Sequence, residues 1–274
     1  MRGIDYSEYE YDSRCCNGKG CGKNPKKSQP VVLDGKHYIP NIFDLPKLGA
    51  GHDGIVFRYG DLALKLLKYD IETRKAKGLM TFQKAKFFSE ELHMKRHVQP
   101  KGIMLNEDGV YCGYSMDALE DVTLDKKKGT LEYMQRGDFM VGELESAIAD
   151  LEQDADELTR KKIVAKDLNR GSYIFTSHFM HICDMDKFMK VLSAKGVRDL
   201  NVQALNFLIA KFFLYEIQKM PDVTEADKKV VAQWVKRSIS SKNFLDKTRE
   251  EIACVPDATI SQYLDIKKDM ILKR

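Results

Sequence analysis

The first half of the chain shows the short apolar runs and turn signals of β-hairpins. Residues 39–67 are strand-like, and the apolar runs Ile55-Val56-Phe57 and Leu62-Ala63-Leu64 lie on either side of Tyr59-Gly60-Asp61. A Gly beside an Asp between two such runs is typical of a tight turn. This stretch therefore predicts a β-hairpin.

A helix and a second hairpin are predicted next. Residues 72–98 have a helical period, and one face carries Phe87, Phe88, Met94 and Val98. Two strands at 103–105 and 110–116 then flank the turn at 106–109. The predicted order is hairpin, helix, hairpin.

The second half is predicted to be mostly helical. A charged loop at 121–138 precedes a helix at 139–160, short strands at 172–176 and 180–183, and a very apolar helix at 202–217. We expect this last helix to be the buried core of its part of the chain. The fold class is therefore α+β, an antiparallel sheet with one helix followed by a mostly helical part.

The amino-acid composition excludes few classes of protein. Of 274 residues 43% are hydrophobic, and 45 basic against 41 acidic residues give a formal net charge of +4. So small an excess gives no case for a nucleic-acid or membrane partner. The most apolar stretch, 205–217, contains Lys211 and Glu216 and is too short to span a bilayer. The first residues are polar and acidic, unlike a signal peptide, so we expect a cytoplasmic protein.

Residues 1–37 are predicted to be an N-terminal extension, because most of them show neither a helical nor a strand period. Cys15, Cys16 and Cys21 could belong to a zinc site, with His37 as the nearest fourth ligand. Their spacing is unlike that of zinc sites built on Cys-x-x-Cys pairs. We favour a tail with free thiols, and the six cysteines of the chain do not suggest a disulfide framework.

The first candidate for chemistry is the glycine-rich pattern G-x-G-x-x-G-x-V, formed by Gly49, Gly51, Gly54 and Val56. Glycines allow a backbone loop to close over phosphate groups without interference from side chains. In a dinucleotide-binding βαβ unit this pattern follows a strand and opens a helix. Here a strand-like run and a turn follow it, so we expect it to lie in a hairpin.

Three further motifs follow in order along the chain. Leu62-Ala63-Leu64-Lys65 would place Ala63 and Lys65 on the same face of a strand. The second motif is Lys166-Asp167-Leu168-Asn169-Arg170-Gly171-Ser172-Tyr173-Ile174, and the third is His181-Ile182-Cys183-Asp184-Met185-Asp186.

In this order and spacing, the motifs resemble those of the protein-kinase-like superfamily, including its bacterial and small-molecule-kinase branches. The resemblance covers about residues 45–220. It implies a two-lobed fold, with an N-lobe and hinge at 38–119 and a C-lobe at 120–274. It also implies ATP and Mg²⁺ as cofactors.

The resemblance implies a role for each matching residue. Asp167 matches the catalytic aspartate, which orients the acceptor hydroxyl and accepts its proton, and Lys65 matches the lysine that contacts the α- and β-phosphates. The other positions implied for ATP binding are Gly49, Gly51, Gly54, Val56, Ala63 and the hinge residues Met116, Asp117, Ala118 and Leu119.

Lys65 would need an acidic partner on the following helix. Glu91 shares a helical face with Phe87, Phe88, Met94 and Val98. A carboxylate on a buried face needs a cation. Glu91 is therefore our candidate, with Glu90 as the alternative.

The implied metal ligand is Asp184, and the chain departs from the family nearby. Ala165 and Lys166 stand where the family has His and Arg, and Ser172 falls at the position of the metal-binding Asn. Ser172 and Asp186 are therefore the candidates for completing the metal site. The stretch after Asp186 is too short for a long activation segment, so a protein substrate is not assured.

These residues predict an ATP- and Mg²⁺-dependent phosphotransferase that acts on an unidentified hydroxyl acceptor, either a protein Ser or Thr or a small molecule. The main alternative is a nucleotide-binding pseudokinase scaffold with weak or no activity, which the serine at position 172 makes a real competitor. A further alternative is an unrelated α+β domain in which the motifs occur by chance.

Overall fold

The computed structural model describes residues 29–51, 53–119, 139–169 and 172–273. These residues divide into two compact units. The first contains the described chain up to Leu92 and again from Val98, and the second contains His93–His97 and the described chain from residue 139 onward. The α+β class, with an antiparallel sheet first and helices afterwards, is confirmed.

A seven-stranded sheet dominates the first unit. Its order is β2-β1-β6-β7-β5-β4-β3, and all neighbouring strands are antiparallel. The strands are β1 (Val31–Leu33), β2 (His37–Ile39), β3 (Lys47–Ala50), β4 (Gly54–Tyr59), β5 (Leu62–Leu67), β6 (Gly102–Asn106) and β7 (Tyr111–Asp117). Both predicted hairpins are confirmed as β4–β5 and β6–β7. Strands β1 and β2 lie in this sheet, so it includes residues that the sequence analysis placed in the extension.

The predicted helix at 72–98 is wrong in length. The structure has two helices there, α1 (Ile71–Ala76) and α2 (Phe82–Glu91). Gly78 separates them with a φ of 66°, a left-handed backbone that does not continue a helix. Thr81 caps α2 by accepting a hydrogen bond from the backbone N–H of Lys84. The helical period of apolar residues in the sequence continues past Glu91, because apolar residues in the following non-helical segment are also buried or half-buried.

The second unit is built around five helices in its described residues. They are α3 (Val141–Arg160), α4 (Val197–Ile217), α5 (Glu225–Ile239), α6 (Phe244–Ala253) and α7 (Ile260–Leu272). The predicted core helix is confirmed as α4, where Ile209, Phe213 and Ile217 are fully buried. Phe213 packs edge-to-face against Trp234 of α5 and Tyr263 of α7.

Two small antiparallel ribbons complete this unit. One pairs β8 (Ile163–Val164) with β11 (Met189–Lys190), and the other pairs β9 (Tyr173–Thr176) with β10 (Phe179–Ile182). The β9–β10 hairpin was predicted at 172–176 and 180–183, whereas the β8–β11 ribbon was not. Its strands have two residues each, too few to show a periodic pattern.

The second unit also holds the segment His93–His97 through one buried carboxylate. Asp154 of α3 accepts backbone hydrogen bonds from Lys95, Arg96 and His97 at 2.6, 2.9 and 3.0 Å. The His97 ring adds a contact from Nδ1 at 2.8 Å. Burial by itself raises the pKa of the Asp154 carboxyl, but these hydrogen bonds lower it below its usual value.

Among the described residues, no helix is long and apolar enough to cross a bilayer. Cys112, Cys183 and Cys254 form no disulfide within the described part of the chain. The predictions made for Cys15, Cys16 and Cys21 and for the loop at 121–138 lie outside the described residues.

Candidate functional site

The glycine-rich motif forms the connection between β3 and β4, as predicted. Gly49 pairs with Val56 across the hairpin, and the N–H of Gly51 donates to the carbonyl of Gly54 at 2.9 Å. A Cβ atom added at Gly49 or Gly51 would meet no described atom within 4 Å. Bare backbone on an open turn is the form in which such loops cover phosphates.

Gly54 is needed for a different reason. A Cβ atom at this position would lie 2.7 Å from the carbonyl oxygen of Leu66 and 3.3 Å from Cε of Lys65. The absence of a side chain therefore lets β4 approach β5 closely at the foot of the Lys65 side chain.

Lys65 lies in the middle of β5, paired with Val56 on one side and Tyr114 on the other. Only 9% of this residue is exposed, and its Nζ atom is 5.8 Å from the centre of the Tyr114 ring. An ammonium group held this far inside a sheet needs compensation by other groups. Ala63, two residues earlier, is 5% exposed and lies opposite Met116.

The two acidic candidates for Lys65 lie at the end of α2. Glu91 is the last helical residue and is exposed, so it does not occupy the centre of a longer buried face as the sequence suggested. Glu90 is exposed and lies 3.8 Å from Lys86, one turn earlier. The pairing of Lys65 with Glu91 stays a prediction.

The predicted hinge begins at the end of β7. Met116 is 9% exposed, and Asp117 forms an ion pair with Lys101 at 2.6 Å. The N–H of Ala118 donates to the carbonyl of Asp61 at 2.9 Å. The N–H of Ala118 is therefore engaged within the first unit, and the role of residues 116–119 as a hinge for adenine stays a prediction.

Asp167 lies in the loop that follows β8, where its side chain is 48% exposed. Its φ of 60° is left-handed, an uncommon conformation for a residue other than glycine. Such strain persists only where the surroundings enforce it, and it collects at functional sites. Asn169 stabilises this turn, because its Nδ2 atom donates to the main-chain carbonyl of Asp167 at 3.1 Å.

Ser172 ends the same loop and faces inward. It is 1% exposed, and its hydroxyl accepts the backbone N–H of Asn169 at 3.1 Å. Its own N–H donates to the Asn169 carbonyl at 3.0 Å. The hydroxyl thus helps to shape the loop, and metal binding by Ser172 stays a prediction.

The loop is joined directly to the motif that contains Asp184. The N–H of Cys183 donates to the carbonyl of Ser172 at 2.8 Å, extending the β9–β10 hairpin by one bond. Asp184 follows, half-buried and with a φ of 72°. Asp167 and Asp184, two of the acids that the sequence singled out, are thus among the six non-glycine residues with positive φ in the described chain.

A second link between the motifs was missed by the sequence analysis. The ammonium group of Lys187 lies 2.6 Å from Oδ2 of Asp167. Lys187 follows Asp186 directly, but no local pattern distinguishes it from the other lysines of the chain. Only the return of the chain from β10 to β11 brings it to Asp167.

In this unit the Asp184 carboxylate and the Asn169 amide have oxygen atoms of the kind that Mg²⁺ binds, and metal binding by Asp184 stays a prediction. Asp186, the other metal ligand predicted from the sequence, is 1% exposed. Among the described residues no group of three His, Cys, Asp or Glu side chains forms a complete cage. Mg²⁺ bound with a nucleotide does not need one, since it takes one or two carboxylates together with phosphate oxygens.

Asn201 of α4 anchors the start of the loop that contains Asp167, and the sequence analysis missed it as well. It is 2% exposed, and its Oδ1 accepts the N–H of Ala165 at 3.0 Å. Its Nδ2 donates to the carbonyl of Ile163 at 2.9 Å and to the hydroxyl of Thr159 at 3.0 Å. One buried side chain thereby ties the end of α3, β8 and the loop leading to Asp167 to the core helix. In the sequence, the only indication of this role was an Asn within an apolar helix.

No protein-family model matches this chain, and no curated protein matches it.

Proposed function

We propose that this chain is an ATP- and Mg²⁺-dependent phosphotransferase of the protein-kinase-like type, transferring the γ-phosphate to a hydroxyl acceptor. The observation that carries the proposal is the joining of two acidic motifs in the second unit. The Cys183–Ser172 backbone bond at 2.8 Å and the Lys187–Asp167 ion pair at 2.6 Å link them, and both acids have left-handed backbones.

Phosphoryl transfer requires mainly positioning and charge neutralisation, so a small set of groups suffices. The exposed carboxylate of Asp167 is suited to orient an acceptor hydroxyl and to take its proton. The Lys187 ammonium group holds that carboxylate in one position and supplies a positive charge beside it.

Asp184 and Asn169 are the residues that would hold Mg²⁺. Bound there, the ion would neutralise charge on the phosphate oxygens. Asp184 supplies an anionic oxygen, whereas Asn169 supplies a neutral one and is already oriented by its bond to the Asp167 carbonyl.

Nucleotide binding is assigned to groups of the first unit. The open turn at Gly49 and Gly51 would lie over phosphates, and Lys65 would contact them. Ala63 leaves room for an adenine ring, and the backbones of Met116, Asp117 and Leu119 would provide its hydrogen bonds.

One observation favours the alternative of a pseudokinase scaffold. Two of the three residues expected to hold the metal, Ser172 and Asp186, are each 1% exposed. A nucleotide-binding protein whose metal site is reduced to Asp184 and a neutral amide could bind ATP and transfer phosphate slowly or not at all.

Two measurements test the proposal. Mg-ATP should raise the melting temperature of the wild-type protein, because a ligand that binds only the folded state stabilises it by about 2.7 kcal/mol at a hundredfold excess over its Kd. Transfer of labelled γ-phosphate, by autophosphorylation or ATP hydrolysis, then reports on chemistry.

Asp167→Asn should retain the Mg-ATP shift but lower transfer by a factor of about 10² to 10⁴, the usual contribution of a general base. Asp184→Ala should lose the magnesium-dependent part of the shift, and Lys65→Ala should weaken nucleotide binding or turnover. Asp257→Asn, at an exposed position on the connection before α7, is the matched control and should change neither. A wild-type protein that gains no stability from Mg-ATP would refute the proposal, and a shift without any transfer would select the scaffold.

A further inference from the structure

The backbone directly before Asp184 is held from two sides. On one side, the N–H of Cys183 donates to the carbonyl of Ser172 at 2.8 Å. On the other side, the N–H of Ile182 donates to the carbonyl of Arg96, also at 2.8 Å. Asp184 itself has a φ of 72°, and a residue other than glycine keeps such a backbone only where its surroundings enforce it. These two hydrogen bonds are part of that constraint.

Arg96 belongs to the segment His93–His97, which contacts both ends of β10. At the last residue of the strand, His97 forms a parallel bridge with Ile182. At the other end, the Arg96 guanidinium donates from Nη1 to the carbonyl of His178, directly before the strand, at 2.7 Å. The segment therefore holds the free edge of β10 along its whole length.

One buried carboxylate fixes the backbone of this segment. Asp154 of α3 is 1% exposed and accepts the N–H groups of Lys95, Arg96 and His97. One turn earlier on the same helix, Asp150 binds Nε of Arg96 at 2.9 Å. A shift of the segment would leave the charge of Asp154 buried without its donors, which is strongly unfavourable. The segment therefore has one favoured position.

The β9–β10 hairpin depends on this support because two strands are marginally stable by themselves. Phe175 and Phe179 pack one face of the hairpin against Phe212 of α4. These rings hold the face of the hairpin, whereas the segment His93–His97 holds its edge. The described residues on either side of that segment belong to the first unit, so this support comes from a distant part of the chain.

We infer that Asp154 is a positioning residue for Asp184, because it fixes the segment that holds the backbone before Asp184. The inference rests on the proposed function, in which Asp184 binds Mg²⁺. The Asp154 carboxylate is buried and accepts hydrogen bonds from the segment, so it does not act on the metal itself. Its effect passes through Arg96 and Ile182. Substitution of Asp154 should therefore change Mg²⁺ affinity more than the affinity for ATP alone.

A role in stability alone is the competing explanation, since loss of any buried ion or apolar group destabilises a fold. Val231→Ala provides a matched control. Val231 is fully buried on α5, outside the segment and outside both strands of the hairpin, and its truncation creates a cavity. Both variants should lower the urea midpoint, but only a change at Asp154 should loosen the backbone before Asp184.

The first test is amide hydrogen exchange in the protein without nucleotide, so its outcome does not depend on turnover. Asp154→Asn replaces one acceptor oxygen with a donor amide. Exchange at the N–H of Ile182 should become at least about tenfold faster relative to Ile209 in the core of α4. In Val231→Ala the two amides should keep their wild-type ratio. Arg96→Met, which keeps the backbone acceptors of the segment, should show a smaller change in the same direction and serves if Asp154→Asn does not fold.

The second test titrates Mg²⁺ in the presence of ATP. Asp154→Asn should lower Mg²⁺ affinity or kcat by about 10- to 100-fold, as is usual for residues that orient a metal ligand, and should keep the affinity for ATP without Mg²⁺. Val231→Ala should keep all three.

Unchanged relative exchange at Ile182 in both Asp154→Asn and Arg96→Met would overturn the inference. So would losses of Mg²⁺ affinity and kcat that are equal in Asp154→Asn and Val231→Ala. Faster exchange at Ile182 in a protein whose wild type shows no response to Mg-ATP would keep the role of Asp154 in holding this backbone and refute the phosphotransferase.

Discussion

Lys187 and Asp167, twenty residues apart in the chain, form an ion pair at 2.6 Å that joins the loop after β8 to the segment before β11. Both side chains are partly exposed, 41% and 48%, so the pair contributes little to stability by itself. Its significance is positional, because it connects the proposed base to the segment that carries Asp184.

Lys187→Met should therefore impair catalysis more than folding. We expect kcat to fall by a factor of about 10², the scale of effect of a misplaced catalytic group, with little change in the melting temperature or in the Mg-ATP shift. Lys187→Arg, which keeps the charge, should recover much of the activity. Lys242→Met, at an exposed position before α6, controls for loss of one lysine. A fall in stability with unchanged kcat would mean that the pair is only structural.

Asn169 and Ser172 should have different roles despite lying in one loop. Asn169→Ala should weaken Mg²⁺-dependent ATP binding or turnover by about 10- to 100-fold, as expected for a metal ligand or its orienting partner. Ser172→Ala should mainly lower the free energy of unfolding, by about 1 kcal/mol, because the partly buried Asn169 N–H loses its acceptor. Magnesium titrations and urea unfolding of both variants separate the two effects.

Ser172→Asn would restore the residue usual in the resembling family, but its position predicts no gain. The site is 1% exposed, and a larger side chain should cost about 1–3 kcal/mol in the free energy of unfolding. A variant that binds Mg-ATP more tightly and unfolds at the same urea concentration would show that Ser172, rather than Asn169, occupies the metal position.

Asn201 should be required for the stability of the second unit. Asn201→Ala removes one acceptor and two donor contacts and leaves buried groups of Ala165 and Ile163 without their partner. Each such group costs about 1–3 kcal/mol, so we expect a loss of roughly 3 kcal/mol or more. Gln203→Ala, at an exposed position on the same helix, should change the unfolding free energy by less than about 0.5 kcal/mol. Equal urea midpoints for the two variants would contradict the assignment.

His181 of β10 should make stability depend on pH. Burial, helped by the positive charge of Arg96 and by His178, lowers its pKa from 6.5 to about 4, against the opposing effect of Asp150 and Asp154. The unfolded chain therefore binds a proton at higher pH than the folded protein does. Stability should be full above about pH 6.5 and decline as pH falls towards 4. In urea titrations across this range His181→Gln should show a smaller decline than the wild type, and an identical decline would exclude His181 as the cause.

The sequence alone determined the elements whose patterns are local. The hairpins β4–β5 and β6–β7 follow from short apolar runs around Gly-containing turns, and α4 follows from a long apolar stretch. The sequence also singled out Asp167 and Asp184, because acids at motif spacing are visible without a structure. ATP and Mg²⁺ binding by these groups stays a prediction.

Only the tertiary structure decided how the candidate residues are held. Periodicity continued the helix beyond Glu91, because a buried extended segment and a buried helical face both look apolar in sequence. The loop buries the Ser172 hydroxyl and directs the Asn169 amide to the main chain of Asp167, which the spacing of the motif did not indicate. Lys187 contacts Asp167 from 20 residues away, and Asn201 contacts Ala165 from 36 residues away. Such contacts depend on where separate elements pack against each other. A hydrophobic period or a motif within one segment does not show that position.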